Sequence, residues 1–125
     1  PESVAKIEDV RSAGLSALEI LADAGVLMAY GSDLLGDMHR YQSDEFTLRA
    51  RYLPAIEVIR SATIHAAQAV GQEGKIGVVA PGAFADLIVT DGDPLKDIAL
   101  LTRQGQHMPV IMKDGVFEKD LLSGG

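Results

Sequence analysis

Cysteine and tryptophan are absent from this chain of 125 residues, and histidine occurs only three times. Without cysteine there is no disulfide framework and no thiolate metal site, so a bound metal would have to be held by His and carboxylate side chains. The same absence agrees with a reducing compartment such as the cytoplasm. Positive charge is scarce: 11 Lys and Arg stand against 18 Asp and Glu, a formal net charge of −7. A nucleic-acid surface needs clustered Lys and Arg, and the nearest approach to a cluster is Arg49 with Arg51. No apolar run approaches the ~20 residues of a membrane-spanning helix, and the first residues do not read as a signal peptide. Nucleic acid and membrane are therefore not expected partners.

What is present is enough for one domain with a real core. The chain starts at Pro1 rather than Met and enters helical sequence at once, which is expected of a piece of something longer. Residues 3–24 read as an amphipathic helix, with Val4, Ile7, Val10, Leu15, Leu18, Leu21 and, optionally, Ile20 at roughly helical spacing. Gly14 costs it about 1 kcal/mol relative to Ala, so a break near Ala13 and Gly14 is one option. Gly25 suits the helix stop.

The organising stretch follows. Residues 26–30 (Val-Leu-Met-Ala-Tyr) are a short apolar run, predicted to be a strand buried on both faces. It ends in Gly31-Ser32-Asp33, where small residues let the backbone turn and a carboxylate emerges. A polar residue at the carboxyl edge of a buried parallel strand is how α/β barrels place active-site groups. The plainer alternative is that Asp33 caps a turn.

Residues 34–51 are polar, and a loop this long is a lid, a binding loop or disordered. His39 within it is either a substrate contact or solvent-exposed, and no second His lies two or four residues on to make a local metal pair. Glu45 and Arg49 read as an i, i+4 ion pair on a wet helix face. Pro54 opens the clearest helix, whose apolar side is Ile56, Ile59, Thr63, Ala66, Ala67 and Val70 and whose stop is Gly71. Thr63 could instead cap a second short helix. His65 reads as a helix-surface residue with no role. From Lys75 the texture changes to short β-like units at 76–79 and 85–90, separated by turns at Ala80-Pro81-Gly82 and at 91–94. Asp97 to Leu101 suits a helical turn. Asp114-Gly115, between 109–113 and 116–119, is a strong hairpin signal.

Taken together, Gly31-Ser32-Asp33, Ala62-Thr63-Ile64-His65-Ala66-Ala67, Pro81-Gly82-Ala83-Phe84-Ala85-Asp86-Leu87-Ile88-Val89, Asp93-Pro94-Leu95 and residues 110–116 resemble the C-terminal portion of the metal-dependent amidohydrolases. The nearest branch is the imidazolonepropionase and Xaa-Pro dipeptidase (prolidase-like) group. The resemblance implies an α/β fold: residues 1–73 as the last strand and helices of a (β/α)8 TIM barrel, and residues 74–125 as part of a small β-sandwich. It implies a hydrolase that cleaves amide-type C–N bonds, dipeptides among them, through a metal-activated water. Zinc or another divalent metal would be the cofactor. By the family pattern Asp33 is both a metal ligand and the catalytic acceptor of the water's proton, while His39 is a candidate substrate contact on the following loop.

The departures are equally plain. The family's His-x-His, its bridging Lys or Glu and its further histidines have no counterpart among His39, His65 and His107, and one carboxylate cannot supply the three or four ligands of a catalytic zinc. Ser32 stands where the family has Thr. The chain is thus expected to be inactive alone, its partners being a small or dipeptide-like substrate, the N-terminal part of the barrel and, optionally, further copies in a homo-oligomer. The alternative is a non-catalytic fragment, or a subunit that docks onto a chain carrying the rest of the barrel.

Overall fold

The computed structural model describes residues 13, 14 and 16–123. Val4, Ile7, Val10 and Leu15 of the expected helical stripe lie outside the described residues. Ala13 and Gly14 are themselves helical, so no break falls on them, and α1 covers residues 16–23. It stops as the sequence predicts: the Gly25 N–H donates to the Ala22 carbonyl and the Val26 N–H to the Leu21 carbonyl, each at 2.9 Å. These are the paired bonds of a Schellman end.

The predicted buried strand at 26–30 is extended backbone but not a strand. Strand character needs a ladder partner for each N–H and C=O, and no described strand lies beside this segment. After the helix stop, its one backbone bond among the described residues runs from the Tyr30 N–H to the Ser61 carbonyl at 2.8 Å. Val26 and Leu27 are accordingly 47% and 58% exposed, not buried on both faces.

The polar stretch that follows is ordered. A 3-10 segment, Gly36–Asp44, leads into α2, Glu45–Arg49. Pro54 is the N-cap of α3, Ala55–Ala62, and Thr63 separates it from α4, Ile64–Ala69. The split matches one of the two sequence readings, but Thr63 does not cap. Its hydroxyl donates backwards to the Ile59 carbonyl at 2.8 Å, the side-chain bond by which Thr competes with helical continuation. The kink at φ −121°, ψ −96° also turns the two halves out of one helical register. The buried side is therefore Val58 and Ser61 on α3 with Ala67 on α4, while Ile56 and Val70, expected on it, are exposed.

The second half is built around an antiparallel sheet in the order β1 (Leu87–Val89), β2 (Val110–Lys113), β3 (Val116–Asp120). Ile88 faces Ile111 and Met112 faces Phe117, with a bulge between Ile111 and Met112. Residues 76–79, expected to be β-like, form no strand, with bends at 76–78, because the chain there folds back so that the Phe84 N–H reaches the Lys75 carbonyl at 2.8 Å. One sheet is found among the described residues where a share of a two-sheet sandwich was expected.

The hairpin turn is the one predicted. Asp114 and Gly115 have φ +49° and +79°, both positive as a type I′ turn requires. The Asp86 carboxylate braces it, accepting from the Lys113 ammonium at 2.6 Å and the Asp114 N–H at 2.7 Å. Those bonds, Lys113's first, hold the Asp86 carboxyl below its usual range. Gly115→Val should therefore cost more than about 1 kcal/mol, since a β-branched residue fits poorly at positive φ. An unchanged denaturant midpoint would rule the turn out.

Among the described residues the buried apolar side chains are few: Leu53, Val58, Ala67, Leu101 and Val110. Leu35, Val79 and Leu121 are 79%, 92% and 67% exposed. So much uncovered apolar surface is unusual for a self-sufficient domain.

Candidate functional site

Asp33 stands three residues past the extended segment, its side chain exposed and its backbone at φ +50°. Non-glycine residues visit this region rarely and at a cost, and such outliers cluster where a side chain must be aimed. The carboxylate has no hydrogen bond or ion pair to any described residue, which leaves both oxygens able to accept. Beside it, Ser32 and Leu34 line a crevice of about 420 Å³ with Tyr41, Asp44, Glu45, Thr47, Leu48 and Arg51.

Tyr30 fixes the ground under this site. Its N–H is tied to α3 through Ser61, and its hydroxyl donates to the Gln42 carbonyl at 2.5 Å. Its ring lies 4.5 Å from that of Phe46, centroid to centroid, and the Arg49 guanidinium sits 5.3 Å from its centroid. One side chain thus joins the segment that leads to Asp33, the 3-10 segment and α2. Sequence reasoning took Tyr30 only as the end of an apolar run. The available signal was its polar tip, which needs a partner once the ring is covered.

The Glu45–Arg49 pair forms as predicted, at 2.6 Å, but not on a wet face. The two side chains are only 16% and 10% exposed. The Arg49 guanidinium lies over the Tyr30 ring, a cation–π placement that accompanies the pair's low exposure to water. Burial, and after it the nearby Glu45 carboxylate, push the Tyr30 phenol up from 10.0 to about 12. The folded state therefore holds this proton more tightly than the unfolded chain. The stabilisation is complete below pH ~10 and is lost as pH climbs from there through the folded value. A difference titration of tyrosinate absorbance between the full-length protein and its Tyr30→Phe variant should show one group ionising late, together with loosening of residues 36–49. A difference curve centred near the ordinary phenol value would refute the raised value at Tyr30.

His39 lies exposed in the 3-10 segment, and no hydrogen bond or ion pair joins it to Asp33. The structure places the two on one continuous loop without bringing them into contact. His65 is partly covered rather than out on a helix surface. It lines a crevice of about 410 Å³ with Val26, Leu27, Glu57 and Ser61, because the kink at Thr63 turns the start of α4 toward the extended segment. His107 is 3.3 Å from Asp91 in the sheet unit.

These donors do not make a metal centre. Among the described residues no three His, Asp or Glu side chains converge, so Asp33 can serve as one ligand of a set but cannot bind a catalytic metal by itself. Among the described residues, no helix is long and apolar enough to cross a membrane.

Comparison with known proteins supplies the wider frame. The backbone superposes on a crystal structure of an amidohydrolase with a TM-score of 0.89 at 51% identity, covering 98% of this chain and 30% of that one. A prolidase crystallised with N-methylphosphonate-L-proline gives 0.87 at 48% identity, covering 96% of this chain and 29% of that one. A 5-methylthioadenosine/S-adenosylhomocysteine deaminase of Syntrophobacter fumaroxidans is 34% identical over 102 residues, 73% of this chain and 22% of its own length. The chain thus spans less than a third of each. The model of the amidohydrolase family matches residues 2–116, nearly the whole chain, and by that match the chain belongs to the amidohydrolase family.

Proposed function

We propose that this chain is the C-terminal share of a (β/α)8-barrel hydrolase that cleaves an amide-type C–N bond, with dipeptides ending in proline as the favoured substrate class. Residues 26–30 are then the last barrel strand, and residues 74–125 are part of the accompanying β-sandwich. The carrying observation is Asp33: an exposed carboxylate without a described partner, at left-handed φ, just past an extended segment that has no strand neighbour among the described residues. The unpaired backbone and the uncovered apolar residues fit a piece completed by further barrel strands.

A divalent metal such as zinc, held mainly by donors outside this chain, would supply a water acidified toward neutral pH. Asp33 would be one of the residues holding that metal, and its carboxylate accepts the proton that the attacking water loses. It then returns that proton to the departing nitrogen. Tyr30 and Ser61 hold the strand end so that this carboxylate is presented at a fixed height, and His39, on the next turn, contacts the substrate.

The proline-dipeptide reading rests on 48% identity to a protein described as a prolidase. The second reading, deamination of a purine nucleoside, rests on the relative at 34%. Both break a C–N bond, so one assay separates them. The full-length protein should release proline from Xaa-Pro dipeptides and leave 5-methylthioadenosine intact. The reverse result would replace dipeptide hydrolysis by deamination, and turnover of neither would favour a non-catalytic fragment or docking subunit.

A further inference from the structure

The loop that joins the sheet unit back to the site is the most strained stretch of the described chain. Arg103, Gln104 and Gly105 are three consecutive left-handed residues, at φ +55°, +50° and +78°. Two of them are not glycine, and one left-handed non-glycine residue is already uncommon. Strain of this kind persists only where the surroundings fix it. Here they do. The Gly105 carbonyl accepts from the Lys119 ammonium on β3 at 2.8 Å and from the Met108 N–H at 3.0 Å, and Gly105 itself is buried.

What the strained turn delivers is a single amide. Gln104 Nε2 donates to the Arg40 carbonyl at 3.0 Å, across 64 residues of sequence. Two residues further on, the Gln42 carbonyl receives the Tyr30 hydroxyl. The turn that carries His39 is therefore held at two backbone carbonyls, one from the segment that leads to Asp33 and one from the sheet unit. A glycine at position 104 would take this backbone at no cost but would leave the Arg40 carbonyl unheld.

We propose that Gln104 is a positioning residue: the left-handed turn at 103–105 holds the Arg40 carbonyl through the Gln104 carboxamide and so fixes the His39-bearing segment for substrate binding. This rests on the hydrolase reading given above. It gives the sheet unit a part in substrate affinity although no hydrogen bond or ion pair joins its described residues to Asp33.

The test uses the full-length protein with Gln104→Gly, which relieves the backbone strain, and Gln104→Glu, which keeps the shape but cannot donate. Trypsin cleavage after Arg40 reads the restraint directly, and KM against kcat reads its use. Loss of one hydrogen bond should speed cleavage and raise KM about fivefold each, with kcat within about twofold of the parent. Gln104→Gly should melt no lower than the parent, so a general loss of stability cannot mimic the result. Unchanged cleavage in both variants overturns the restraint, and faster cleavage with unchanged KM overturns its role in binding. The hydrolase reading fails separately, if the parent protein hydrolyses no Xaa-Pro dipeptide, and the trypsin result stands whichever way that assay falls.

Discussion

Asp33→Asn in the full-length protein should lower kcat by a factor on the order of 10² to 10⁴, the range for a positioned acid–base group, while the protein stays folded. The substitution keeps the shape of the side chain and removes its charge and basicity. Its effect on stability should be small, because Asp33 is exposed and makes no hydrogen bond or ion pair to any described residue. Asn also tolerates the left-handed backbone at this position at least as well as Asp. Loss of turnover with an unchanged melting temperature would assign the residue to chemistry rather than to folding. Bound metal should be measured alongside. Metal retained with turnover lost marks Asp33 as the proton acceptor, and metal lost with turnover marks it as an indispensable ligand. Parental turnover with metal bound would remove Asp33 from the mechanism.

What could be read from the sequence divides along the distance between the residues involved. Both helix stops, the turn at 80–82, the hairpin at Asp114-Gly115 and the i, i+4 pair on α2 are settled by residues within five positions of one another. In each case the short-range chemistry has one good solution. Residues 26–30 are the contrary case. Apolar content predicts an extended segment and the backbone is extended, but whether it becomes a strand depends on neighbours that the described residues do not include. The helix from Pro54 shows a third situation. Its apolar pattern continues through Thr63 without interruption, so periodicity alone gave no reason to choose the kinked reading or to expect its buried face at Val58 and Ser61. Tyr30 and Gln104 were unreadable for a simpler reason: each acts on a carbonyl 12 or 64 residues away, and a backbone acceptor leaves no mark in a sequence. The candidate site is thus legible at Asp33, where residue type and local position coincide, and not in the bonds that hold its surroundings.

The largest loss of stability from one added methyl group should come at Gly77. Its φ is +73°, and a Cβ built there would lie 2.6 Å from both the carbonyl carbon and the oxygen of Thr63, with the Ile64 nitrogen at 3.1 Å. All three are backbone atoms of the kink between α3 and α4, so no side chain can swing aside. Gly77→Ala therefore combines the penalty of a left-handed alanine, about 1–2 kcal/mol, with overpacking of about 1–3 kcal/mol. The expected total is about 2–5 kcal/mol, seen as a lower denaturant midpoint at unchanged slope. Gly82→Ala is the control. It has φ +86° with nothing within 4 Å of its Cβ, so only the left-handed penalty of about 1–2 kcal/mol applies. The difference between the two variants isolates the contact with the kink. Equal losses would mean that residue 77 does not press on Thr63. A larger loss at Gly77 should also loosen the site, because the Ser61 carbonyl that holds the Tyr30 N–H lies two residues before the displaced backbone. The late-ionising phenol of Tyr30 should then shift back toward its ordinary value in Gly77→Ala and stay high in Gly82→Ala.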